Sequence, residues 1–111
     1  MSTDTLAMSE EQILDQIQAE VSENRVFLYM KGTPDMPRCG FSNQVVQILN
    51  ILGVEYGARD ILVDPRLRVV LSDWSEWPTI PQLFVDGKLV GGCDIVTEMY
   101  QDGELQELLG K

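Results

Sequence analysis

Helix and strand signals alternate through the first half of this sequence and a β-hairpin follows in the second. That order predicts an α/β domain with a central mixed sheet of four strands and helices on both faces. Three stretches carry the prediction. "VFLYM", residues 26–30, is a short continuous apolar run, the mark of a strand buried on both sides. "FSNQVVQILNILG", residues 41–53, sets Phe41, Val45, Ile48, Leu49 and Leu52 at helical spacing and closes on glycine. "QLFVDGKLVGG", residues 82–92, holds two strand-like runs around Asp86-Gly87, a tight turn that makes the pair antiparallel.

Each element follows from local chemistry. Residues 1–8 read as a flexible polar tail, and residues 9–111 as one domain. Ser9 with Gln12 three positions later forms a capping-box pattern ahead of Ile13, Leu14, Ile17 and Val21, so a first amphipathic helix runs to about residues 22–24. The buried strand over 26–30 comes next. "KGTPDMP", residues 31–37, contains a glycine and two prolines and must be a loop, which leaves Cys39 at the start of the second helix. "VEYGARDIL", residues 54–62, is a second strand interrupted by Gly57. Pro65 suits the first turn of a helix over about 65–74. "WPTIPQ", residues 77–82, has two prolines too close together for regular structure. After the hairpin, Asp94 caps a helix to about residue 101, and residues 104–109 add a helical turn or two beyond Gly103.

Composition limits the functions available. With 111 residues the chain suits a single domain with its own core. Acidic residues outnumber basic ones 18 to 8, and a net charge of −10 opposes general attraction to nucleic acid or anionic membrane. No stretch approaches the roughly 20 apolar residues that span a bilayer, and no basic segment leads into an apolar run at the start. These features predict a soluble cytoplasmic protein. Without histidine and with only Cys39 and Cys93, a zinc finger is excluded, and two cysteines in a cytosolic setting are expected to be reduced thiols.

Cys39 is the first candidate for chemistry. A helix N-terminus lowers a thiol's pKa through its free N–H groups and dipole, and Lys31 and Arg38 add positive charge nearby in sequence. Position alone leaves two readings open, a reactive thiol or a small buried side chain. In a Cys-x-x-Cys pair the second cysteine can close a disulfide, but here Ser42 occupies that place and cannot. A mixed disulfide at Cys39 would therefore be resolved by an external thiol or by the distant Cys93.

"CGFS" at residues 39–42, preceded by "MKGTP" at 30–34 and followed by "WPTIPQLFVDGKLVGGCD" at 77–94, resembles the monothiol glutaredoxins of the CGFS type. The resemblance runs from about residue 26 to 109. It implies the thioredoxin-like fold and a glutathione site whose members can be matched here residue by residue. Lys31 and Arg68 would hold the glycine carboxylate. Ile80, ahead of a cis proline at Pro81, would pair its backbone with the cysteinyl part. The backbone N–H groups of Cys93 and Asp94 would take the γ-glutamyl carboxylate at a helix start, with the Asp94 side chain accepting from the ammonium. Phe41 offers a ring beside the thiol, while Trp74 and Trp77 are assigned to packing.

Two functions follow from the resemblance. In the first, Cys39 is a metal ligand: a homodimer bridges one [2Fe–2S] cluster through one Cys39 thiolate and one glutathione thiolate per chain, and the protein carries clusters from an assembly scaffold to apo-proteins. A BolA-type protein is an implied partner. In the second, Cys39 is the catalytic nucleophile of a glutathione-dependent oxidoreductase, weak in this class. A thiol-bearing interaction module without glutathione affinity is the third and plainest reading.

Overall fold

The computed structural model describes residues 8–111. The tail expected over residues 1–8 thus lies outside the described residues except for Met8. Helix α1 (Glu10–Glu23) leads to β1 (Val26–Met30), α2 (Gly40–Leu52), β2 (Gly57–Asp60), α3 (Pro65–Ser75), β3 (Gln82–Val85), β4 (Lys88–Gly91), α4 (Cys93–Asp102) and α5 (Glu104–Leu109). The sheet order is β2-β1-β3-β4, with β1 parallel to β2 and the other pairs antiparallel.

Strand β1 is the axis of the molecule. All five of its residues are buried, and alternate side chains point to opposite faces. Val26, Leu28 and Met30 join Val45 and Leu49 of α2, Val96 of α4 and Leu105 and Leu109 of α5 in one core. Phe27 and Tyr29 face the other way, against Ile13, Ile17 and Val21 of α1, Leu67, Val70 and Leu71 of α3, and Phe84. Helices therefore cover both faces, as the sequence predicts. A buried polar link crosses the second face: the Tyr29 hydroxyl donates to Glu20 Oε1 at 2.9 Å, and Arg59 Nη1 reaches Glu20 Oε2 at 2.7 Å. Burial and the adjacent Glu20 carboxylate push the Tyr29 phenol far above its ordinary range, so it stays protonated and acts as donor.

The capping box at α1 forms on both sides, with Gln12 N–H donating to Ser9 Oγ and Ser9 N–H donating to Gln12 Oε1. Other boundaries move. The expected strand over 54–62 shortens to Gly57–Asp60, and residues 61–63 turn into a 3₁₀ segment because Asp60 Oδ1 accepts from the Leu62 N–H at 2.9 Å. Gly57 starts the strand instead of interrupting it. It pairs with Phe27, whose ring carbons would lie 2.7 Å from a Cβ at this site, so only glycine lets the strand approach. The fourth helix begins at Cys93 with Gly92 as its N-cap, so Asp94 sits inside the first turn rather than capping it. Asp64 caps α3 by accepting from the Arg66 N–H, and Pro65 occupies the first turn as expected.

Gly57→Ala tests the packing of β2. The added methyl overpacks the Phe27 ring, and urea denaturation is expected to show a loss of about 1–3 kcal/mol with the fold retained. An unchanged midpoint would mean that the strand and ring have room to separate.

Candidate functional site

The end of β1 and the start of α2 place the thiol. Ser42 is fully buried, and its Oγ accepts from the Lys31 N–H at 3.1 Å, tying the last turn of the strand path to the first turn of the helix. The Lys31 carbonyl accepts from the Arg38 N–H at 2.9 Å, so the loop between them closes on itself. Gly32 makes that closure possible at φ +89°: a Cβ there would stand 2.4 Å from the Met36 carbonyl oxygen and 2.7 Å from Arg38 N. Its N–H donates to Asp60 Oδ1 at 2.9 Å, fastening the loop to the end of β2.

Cys39 is the N-cap of α2 and half-buried, its thiol beside the first-turn N–H groups of the helix. The Ser42 N–H, then the Phe41 N–H, the charge of Lys31 and the Ser42 side chain together hold the thiol below its ordinary range, against a smaller opposing effect of burial. Cys93 goes the opposite way. It is buried at the start of α4, and desolvation pushes its thiol up, with Asp94 and Cys39 adding to the shift and a weak contact to Thr97 opposing it. Both thiols are free. One pKa is shifted towards the thiolate, the other towards the thiol.

Around Cys39 lies a cleft of about 400 Å³, lined by Lys31, Cys39, Arg68, Ile80, Cys93 and Asp94 together with Phe41, Trp77, Thr79, Pro81, Gly92 and Ile95. The six residues singled out in the sequence come from four separate parts of the chain, and the fold brings all six to one cavity. The Ile80–Pro81 peptide is cis, as the resemblance implied. Arg68 projects from α3 to the same wall, where its Nη2 lies 3.4 Å from the Pro78 carbonyl oxygen. The start of α4 also borders the cleft, and its first N–H groups have no partner within the helix and favour an anion.

Phe41 is 62% exposed at the cleft rim and is not a core residue. Trp74 packs as expected, stacked on Phe84 at 5.6 Å between ring centroids, whereas Trp77 is a cleft wall. Three residues of the site escape sequence reasoning. Asp60 reads only as the end of a strand, Gln82 only as the start of one, and Ser42 only as a missing cysteine. A polar residue inside an otherwise apolar strand, as at Gln82, is the one signal that was available.

Chemically, the cleft offers a thiol of lowered pKa, two cations, the N–H groups of a helix start beside a carboxylate, and an irregular segment with a cis proline.

The glutaredoxin family profile matches residues 26–90. A curated relative, the probable monothiol glutaredoxin 2 of Rickettsia typhi, is 54% identical over 102 residues, covering 92% of each chain. Among solved structures, reduced apo GrxS14 of poplar superposes with a TM-score of 0.76 at 45% identity, covering 96% of this chain and 94% of that one. The buckwheat glutaredoxin–glutathione complex superposes with a TM-score of 0.81 at 27% identity, covering 91% and 90%. The four-stranded mixed sheet with flanking helices is thus the thioredoxin-like fold of these proteins. With one thiol at the head of α2, a buried serine in the second cysteine's place and relatives described in the same terms, this chain belongs to the glutaredoxin family as one of its monothiol members.

Proposed function

We propose that the cleft binds glutathione and that two protomers use it to hold and transfer a [2Fe–2S] cluster. The observation that carries this reading is the pairing of a single activated, half-exposed thiol with a buried Ser42 that cannot resolve a disulfide. Lys31 and Arg68 take the glycine carboxylate, the Ile80 backbone pairs with the cysteinyl unit, and the Cys93 and Asp94 N–H groups take the γ-glutamyl carboxylate. The buckwheat glutaredoxin complex, of the same fold, supports the choice of ligand.

The donor set fits this cargo only across two chains. Among the described residues no three His, Cys, Asp or Glu side chains converge, whereas a [2Fe–2S] cluster takes four thiolates. One Cys39 and one glutathione from each protomer supply four. The glutathione half is exchangeable, which suits delivery. Phe41 and Met36, 62% and 65% exposed, give the thiol side of the molecule an apolar surface for a second protomer, a BolA-type protein, or donor and acceptor proteins. No helix among the described residues is long and apolar enough to cross a membrane.

The lowered Cys39 pKa also favours a second reading, glutathione-dependent reduction of mixed disulfides. The Cys39 thiolate attacks the glutathionyl sulfur, the S–S bond breaks and the substrate leaves as a thiolate. A second glutathione thiolate then attacks the Cys39–glutathione disulfide, freeing Cys39 and forming oxidised glutathione. The mixed disulfide and one glutathione thus give the substrate thiol and oxidised glutathione: the incoming glutathione sulfur is oxidised, the substrate sulfur is reduced, and the glutathione proton ends on the released thiol.

Lys31→Ala with Arg68→Ala removes both cations of the carboxylate end. Glutathione binding, followed by calorimetry, is expected to weaken by roughly 10²-fold or more, with an unchanged circular dichroism spectrum. Wild-type affinity in the double variant would remove the glutathione assignment. Cys39 and Cys93 are also separable by pH. A lowered pKa keeps the thiolate populated as pH falls, so alkylation of Cys39 should reach half its maximal rate below about pH 8.5, the value for an ordinary thiol, and Cys93 should react more slowly with a higher midpoint. Equal midpoints for the two cysteines would contradict the electrostatics of the helix start.

A further inference from the structure

Gln82 opens β3 and is fully buried. Its Nε2 donates to two carbonyls of the irregular segment ahead of it, Trp77 O at 3.0 Å and Thr79 O at 3.2 Å. Both partners are acceptors, so only the –NH₂ end of the amide can face them, and this fixes the side chain's orientation. Oε1 is left buried without a partner among the described residues. An unpaired buried acceptor is unfavourable, and the two donated bonds are what offset it. The intervening carbonyl, Pro78 O, turns instead to Arg68 Nη2 on the neighbouring helix.

Peptide geometry carries this to the cleft. The Thr79 carbonyl and the Ile80 N–H belong to one trans peptide unit, the cis bond being the next one, and in a planar trans unit the two groups point in opposite directions. With the carbonyl drawn towards Gln82, the Ile80 N–H points away from it. Ile80 lines the cleft, and among the described residues nothing accepts from its N–H.

We infer that Gln82 is a positioning residue for ligand binding: its two donated hydrogen bonds set the plane of the Thr79–Ile80 peptide so that the Ile80 N–H is presented to a main-chain carbonyl of the bound peptide. Gln82 touches no ligand itself. The inference rests on the proposal that glutathione occupies the cleft, and it names the residue that aims the central backbone contact.

Nuclear magnetic resonance on ¹⁵N-labelled protein titrated with reduced glutathione tests it. In the wild type, the Gln82 side-chain amide protons should exchange slowly, and the Ile80 N–H should shift downfield and gain protection on saturation. Gln82→Met keeps length and volume but removes both donors; affinity should fall roughly tenfold and the Ile80 response should disappear. The Lys31 and Asp94 amides should still respond, and the alkylation midpoint of Cys39 should not move, because Gln82 reaches neither end of the site. A general loss of structure would change all of these together. If wild-type protein does not bind glutathione, the site proposal fails and this inference falls with it. If it binds but the Ile80 N–H stays silent, or Gln82→Met binds as tightly, the role of Gln82 is overturned and the site proposal stands. Should Gln82→Met not fold, the wild-type Ile80 and Gln82 signals decide alone.

Discussion

The hydrogen bond from the Lys31 N–H to the buried Ser42 hydroxyl is the constraint on which the site depends. Strand β1 is held from both faces by two separate cores, and its direction is therefore fixed. The Lys31 backbone transmits that direction. Its N–H is bonded to the first turn of α2 and its carbonyl to Arg38, just before Cys39, so strand end, loop and helix start move as one unit. A cysteine at position 42 would put a weaker acceptor under Lys31. The serine thus has two consequences: it withholds an internal resolving thiol, and it anchors the remaining thiol beside a lysine.

The electrostatics are local and run against the bulk of the protein. In a chain of net charge −10, Lys31 and Arg68 line one cleft together with the start of α4, which supplies partial positive charge. Asp94, inside that first helical turn, adds one carboxylate to the cleft lining. The remaining acidic surface repels anions in general, so the cleft's positive groups stand out locally against the rest of the chain. The two thiols divide along the same lines, the Cys39 pKa lowered by N–H groups and lysine, the Cys93 pKa raised by burial.

Much of this was legible in the sequence because it rests on short-range chemistry. The Ser9–Gln12 capping box, the apolar run of β1, the Asp86-Gly87 turn and the cysteine at a helix head each depend on residues within a few positions. What escaped depends on partners far along the chain. The start of β2 is decided by Phe27 packing on Gly57, and its end by an aspartate that also holds Gly32. Gly92 caps α4 without a side chain to announce it, so Asp94 drew the assignment. Trp77 looks like any packing residue until the fold places it in the cleft wall, and the Gln82 amide acquires meaning only when the carbonyls of residues 77 and 79 arrive beneath it.

The central claim is that one activated protein thiol and one glutathione per protomer form the ligand set for a shared cluster. Anaerobic reconstitution with iron and sulfide, with and without glutathione, tests it most directly when visible absorption is recorded together with iron, sulfide, glutathione and oligomeric state. The account predicts a [2Fe–2S] spectrum that requires glutathione, on a dimer containing one glutathione per protomer. A cluster formed equally well without glutathione, or no cluster from a protein that reduces mixed disulfides with glutathione, would contradict it.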